Sequence, residues 1–150
     1  GSPPAPESDI LRRLERPVPR VAEGKALRVW AHAAIDVSDG LVADLGHILD
    51  ASGVGAELWL ERLPLSPMVR AYVQSRGDWA VPLCGGDDYE LCFTAPERHR
   101  RVLDVLHNNF KCGLHPIGHI TERSGLRCAL PDGETWAPAR SGYDHFADAP

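Results

Sequence analysis

The chain has 150 residues, 43% of them hydrophobic and 25% charged, which is ordinary for one globular domain with a real core. A formal net charge of −5 with no basic run argues against nucleic-acid binding. No apolar stretch is long enough to span a membrane, and the N-terminus lacks a charged-then-apolar leader pattern.

In chain order, Gly1-Ser2 reads as an expression-tag remnant, and residues 3–6 are too proline-rich to pack. Ser8 or Asp9 caps a short helix carrying Ile10, Leu11 and Leu14, which Pro17 and Pro19 stop. A helix over residues 23–32 carries Leu27, Trp30 and Ala31 on one side. Ala33, Ala34, Ile35 and Val37 then form a strand. It passes through the acidic turn Asp36-Val37-Ser38-Asp39-Gly40 into an amphipathic helix. Leu41, Val42, Leu45, Ile48 and Leu49 make the apolar stripe of that helix, Asp44, His47 and Asp50 lie away from it, and Gly53 ends it.

Residues 54–61 alternate as a half-buried strand, with Ala56, Leu58 and Leu60 inward. Ser66-Pro67 opens a helix that closes at Gly77, while residues 78–83 fit neither period. Residues 89–94 form a strand, and Pro96 opens a helix with Val102, Leu103, Leu106 and Phe110. The last third predicts a strand over 115–121 and a hairpin of 126–130 with 134–137 around Pro131-Asp132-Gly133. Interleaved helices and strands followed by a hairpin predict an α+β fold, a mixed sheet covered by helices. Cys84, Cys92, Cys112 and Cys128 show no C-x-x-C pairing and read as reduced, mostly buried thiols of a cytoplasmic protein.

Two stretches carry chemistry. In the acidic turn, two carboxylates and a hydroxyl meet at a helix N-terminus, a place suited to a metal ion and phosphate oxygens. Ser38 or Asp39 also suits a plain helix cap, the commoner role of such residues. Asp36 lies inside the apolar run, where a carboxylate needs a partner or a cation. In the second stretch, Gly85-Gly86 permits close backbone approach to a ligand, and Asp87-Asp88 set carboxylates at the mouth of a strand. A polar turn ahead of a strand has the same composition.

The strings AIDVSDGLVADLGHIL, LCGGDDYELCFTAP and GYDHF, in that order, resemble the C-terminal half of thiamine-monophosphate kinase, from about residue 14 to the end. The wider superfamily includes aminoimidazole ribonucleotide synthetase, selenophosphate synthetase and a hydrogenase maturation factor. The resemblance implies an AIR synthase-related C-terminal domain, partly ferredoxin-like, over residues 14–150. Residues 1–13 would be tag remnant and linker, and the N-terminal ATP-binding domain would be missing. It further implies a cytoplasmic bacterial enzyme, homodimeric at full length, that uses ATP and magnesium to convert thiamine monophosphate to thiamine diphosphate.

By the same resemblance Asp36 and Asp39 hold magnesium, Ser38 contacts ATP, and Asp87 and Tyr143 contact substrate. The family pattern Gly-Gly-Glu-Asp is departed from at Asp87, which is shorter by one methylene. A ring at Tyr143 suits a thiazolium cation. The acceptor phosphate, with a second pKa of about 6, is already an oxyanion at neutral pH, so no general base is expected. The obstacle is repulsion between two anions, which magnesium relieves. No phosphate-binding loop of the G-x-x-x-x-G-K-[ST] type and no protein-kinase signature occurs. Two alternatives stay open: another ATP-dependent enzyme of the superfamily, or a non-catalytic binding or assembly module. The isolated chain is expected to fold without kinase activity.

Overall fold

A computed structural model describes residues 15–137. The helix expected around Ile10 to Leu14, and Tyr143 with its GYDHF string, lie outside the described residues. Helix α1 (Val21–Leu27) leads into strand β1 (Ala33–Val37), and helix α2 (Leu41–Ser52) follows the acidic turn. Strand β2 (Gly55–Trp59) runs into a 3₁₀ turn (Leu60–Arg62), then come helices α3 (Pro67–Arg76) and α4 (Ala80–Cys84). Strand β3 (Glu90–Thr94), a 3₁₀ turn (Glu97–His99) and helix α5 (Arg100–Asn109) precede strands β4 (Gly118–Thr121), β5 (Gly125–Ala129) and β6 (Thr135–Trp136).

The strands form two sheets. β1 pairs antiparallel with β3, placing Val37 opposite Glu90. The other sheet has the order β4-β2-β5-β6 and is mixed, since β2 runs parallel to β5 but antiparallel to β4. The expected hairpin forms, with Cys128 opposite Trp136. Helix α2 links the sheets by packing its apolar stripe on both. Val42, Leu45 and Leu49 join Val37 and Cys92 of one sheet and Ala56, Leu58 and Cys128 of the other in a single core. Leu83 of α4 and Leu60 seal it, each no more than 1% exposed. The fold is thus α+β, as expected.

Several local signals are realised as read. Gly53 adopts φ 64° and donates to the carbonyls of Asp50 and Leu49. Ser66 Oγ accepts from Val69 N–H with Pro67 at the first helical position, and Gly77 closes α3 at φ 67°. Other expectations are corrected. The first helix ends at Leu27, because the N–H groups of Trp30 and Ala31 fold back to the Leu27 carbonyl and His32 N–H already joins Thr94. Of residues 78–83, the stretch from Ala80 on belongs to α4, whose first N–H, that of Ala80, is held by Asp78 Oδ1. The strand expected over 115–121 keeps only Gly118–Thr121.

On the outer face of the larger sheet, Glu57 accepts from Arg127 Nη1 at 2.5 Å and from Trp59 Nε1 at 3.0 Å. These bonds, that of Arg127 first, hold the Glu57 carboxyl below the usual glutamate range. Because the folded-state titration lies below the unfolded one, the contribution is present at neutral pH and is lost as pH falls through it. NMR titration of Glu57 is expected to show a midpoint below the ordinary glutamate value, restored upward by Arg127→Ala. An unshifted midpoint would contradict the contact.

Candidate active site

The site begins where β1 leaves its sheet. Ile35 and Val37 point toward the core, so the alternation puts Ala34 and Asp36 on the open side. Asp36 is therefore exposed rather than enclosed among apolar neighbours. This corrects the argument that burial forces a partner on it. The chain then turns through Ser38 and Asp39 to Gly40, which holds φ 113°, ψ 146° and occupies the N-cap position of α2. The N-cap residue is thus a glycine, with no side chain to cap the helix. The polar contact comes from below, where Asp44 Oδ2 accepts the N–H groups of Ser38 (2.9 Å) and Asp39 (3.1 Å). Asp44, read from the helical period as lying off the apolar stripe, is 3% exposed.

The Gly-Gly-Asp-Asp loop lies directly against this turn. Beyond the β1–β3 ladder, Tyr89 N–H donates to the Val37 carbonyl (2.8 Å) and Asp87 N–H to the Ser38 carbonyl (2.9 Å). The pairing of the two strands thus continues into the loops that follow and precede them. Gly86 permits the approach, since a Cβ there would fall 2.4 Å from the Ser38 carbonyl oxygen. Asp87 (φ 66°) and Tyr89 (φ 51°) both take left-handed backbone conformations, the only described non-glycine residues to do so. Such conformations persist when surrounding bonds over-determine them, and each of these residues has one such backbone bond.

The structure therefore joins the two motifs that sequence reading singled out separately. Tyr89 Oη donates to Asp87 Oδ1 at 3.1 Å. That bond and the charge of Asp87 push the Tyr89 phenol upward, and Asp36 and Asp39 push it further the same way. Asp87 is bonded to the ring hydroxyl, and Asp36 lines the same groove as the ring. Asp88 is exposed, and partial desolvation of its carboxyl, then the charges of Glu90 and Asp87, raise its titration.

Beside the ring lies an open, mainly apolar groove of about 340 Å³, lined by Val21, Gly24 and Leu91 with Asp36 and Tyr89 at its edge. Arg20 also lines it, in a two-pronged contact with Glu90 at 2.6 and 2.8 Å. Sequence reading missed Tyr89, Arg20 and Asp44. The signal for Asp44 is an acidic residue in the first turn of a helix whose N-cap is a glycine. Among the described residues, no three His, Cys, Asp or Glu side chains converge as a metal site.

An α+β domain with two acidic loops stitched together at one sheet end defines the class. The family model for AIR synthase related protein, C-terminal domain, matches residues 8–130, and the chain belongs to that family. Among its relatives is the thiamine-monophosphate kinase of Escherichia coli K12, 44% identical over 138 residues, which are 92% of this chain and 42% of that protein. The crystal structure of thiamine-monophosphate kinase from Stenotrophomonas maltophilia K279a matches with a TM-score of 0.75 at 44% identity, over 85% of this chain and 40% of that one. AaThiL complexed with AMPPCP and TMP matches at 0.70 and 32% identity, over 97% of this chain and 44% of that one. The chain thus spans well under half the length of the relatives it matches. Among the described residues no helix is long and apolar enough to cross a membrane.

Proposed function

We propose that this chain is the C-terminal domain of a cytoplasmic thiamine-monophosphate kinase, which transfers the γ-phosphoryl group of ATP to the phosphate of thiamine monophosphate and yields thiamine diphosphate. One observation carries the reading. The Asp87 N–H to Ser38 carbonyl bond brings the turn that carries Asp36, Ser38 and Asp39 against the loop that carries Asp87. The kinship with the E. coli enzyme, and the AMPPCP and TMP bound by AaThiL, support it.

In this reading residues 14–150 form the domain, residues 1–13 are tag remnant and interdomain linker, and an N-terminal domain completes the site and pairs the full-length enzyme as a homodimer. Asp36 and Asp39 offer the hard oxygen donors that magnesium prefers, and the charge of both raises the Tyr89 phenol after the larger effects of Asp87 and burial. They form a partial set, so the N-terminal domain supplies further ligands. Magnesium, when bound, offsets the charge of the phosphates. Ser38 faces the nucleotide. The acceptor phosphate is already anionic, so no side chain of this domain removes a proton. The work left to the chain is positioning, in which Tyr89 steadies the Asp87 carboxylate toward the thiamine moiety and Tyr143 stacks on its cationic ring.

The test is to join the chain to the N-terminal half of a thiamine-monophosphate kinase and follow ATP-dependent formation of thiamine diphosphate. Turnover is expected in the joined protein and not in the 150-residue chain. A joined protein that ignores thiamine monophosphate but phosphorylates another acceptor would overturn the substrate assignment.

A further inference from the structure

Asp44 is the only buried charged residue among those described, and nothing in the assignment above uses it. A carboxylate removed from water is costly unless hydrogen-bonded. Here one oxygen accepts two backbone N–H groups, from Ser38 and Asp39, that lie between β1 and α2 and belong to neither. Asp44 is itself anchored, because its N–H donates to the Gly40 carbonyl at 3.0 Å as α2 begins. Burial first, and then the charge of Asp44, push the thiol of Cys92 in β3 up to about 11.

With both N–H groups drawn toward the core, the peptide planes of the turn have one orientation. That orientation aims the Ser38 carbonyl at Asp87 N–H. A side chain in the interior therefore sets the geometry of groups at the surface. We propose that Asp44 is a positioning residue for the acidic turn: by holding Ser38 and Asp39 from beneath, it keeps the turn docked on the Gly-Gly-Asp-Asp loop and its carboxylates preset for a divalent cation. Only the last clause rests on the kinase reading.

Amide hydrogen exchange in the 150-residue chain tests the first part directly. Ser38 and Asp39 are expected to exchange slowly although they lie outside helix and strand, and free exchange in the wild-type chain would overturn the proposal without any variant. In Asp44→Ala their protection is expected to fall about tenfold or more, the scale of one charge-assisted hydrogen bond. Asp44→Asn keeps a carbonyl oxygen in place and is expected to restore most of it. If Asp44→Ala does not fold, the wild-type exchange and Asp44→Asn decide the question.

The second part is read by Mn2+ titration of the chain and by the magnesium requirement of the joined protein. Both are expected to weaken about 10- to 100-fold in Asp44→Ala, as when a group orienting a metal ligand is removed, with rescue by Asp44→Asn. Unchanged cation affinity despite lost amide protection would overturn the presetting. A wild-type joined protein without kinase activity would instead remove the proposed function, while exchange and Mn2+ binding would still judge Asp44.

Discussion

Asparagine in place of Asp39 is expected to lower kcat of the joined two-domain protein by about two to three orders of magnitude, the usual scale for removing one preorganised electrostatic contact to a transition state. The change is nearly isosteric, and the backbone N–H that binds Asp44 is retained. Folding should therefore be preserved, with the thermal midpoint close to wild type, while the magnesium concentration for half-maximal rate rises. Asp36→Asn is expected to behave alike, because Asp36 is exposed at the groove and carries no core packing. Initial rates across a magnesium series check both. Turnover and magnesium demand that survive Asp39→Asn unchanged would remove Asp39 from the cation site.

The largest stability effect is expected at Gly40. Its φ of 113° with ψ 146° belongs to a region that residues with a Cβ essentially avoid. A methyl group there would also meet the Cys84 backbone, at 2.9 Å from the carbonyl carbon and 3.0 Å from Cα and O. Those are backbone atoms of α4 and cannot swing aside. Backbone strain and overpacking together predict that Gly40→Ala destabilises the chain by about 2–5 kcal/mol. Gly46 is the control. It lies within α2, a Cβ there would meet nothing within 4 Å, and Gly46→Ala is expected to stabilise by roughly 0.5–1 kcal/mol. Denaturant unfolding of the two variants measures the contrast, and equal stabilities would refute the close fit of the turn on α4.

The Cys84 contact belongs to the same geometry as the Gly86 contact with Ser38, so the two glycines hold the motif loops together from both sides. That juxtaposition is the physical content of the site, and it explains what was legible in advance. The strand–turn–helix around Asp39, the cap at Ser66 and the terminators Gly53 and Gly77 follow from local preferences that a short window of sequence contains. So does the alternation that buries Ala56, Leu58 and Leu60. The helix expected over 23–32 stops at Leu27, although Trp30 and Ala31 continue its apolar side. In the fold that ring meets His99 edge to face, after the chain has left the helix.

Asp36 and Asp44 show the limit most clearly. Both lie beside apolar residues, yet the first is open to solvent and the second is in the core. Nothing in the identity of an aspartate distinguishes these fates. The choice depends on which face of β1 meets α2 and on where the backbone N–H groups of Ser38 and Asp39 fall. From the sequence by itself came the order of the elements apart from α4, the α+β class and the residues rich enough in chemistry to form a site. The tertiary structure alone decided the parallel β2–β5 pairing, the burial of Asp44 and the bond that unites the two loops. The reason is that periodicity and capping are written in side chains a few residues apart. Distant segments here are joined through backbone N–H and C=O groups that nearly every residue carries alike.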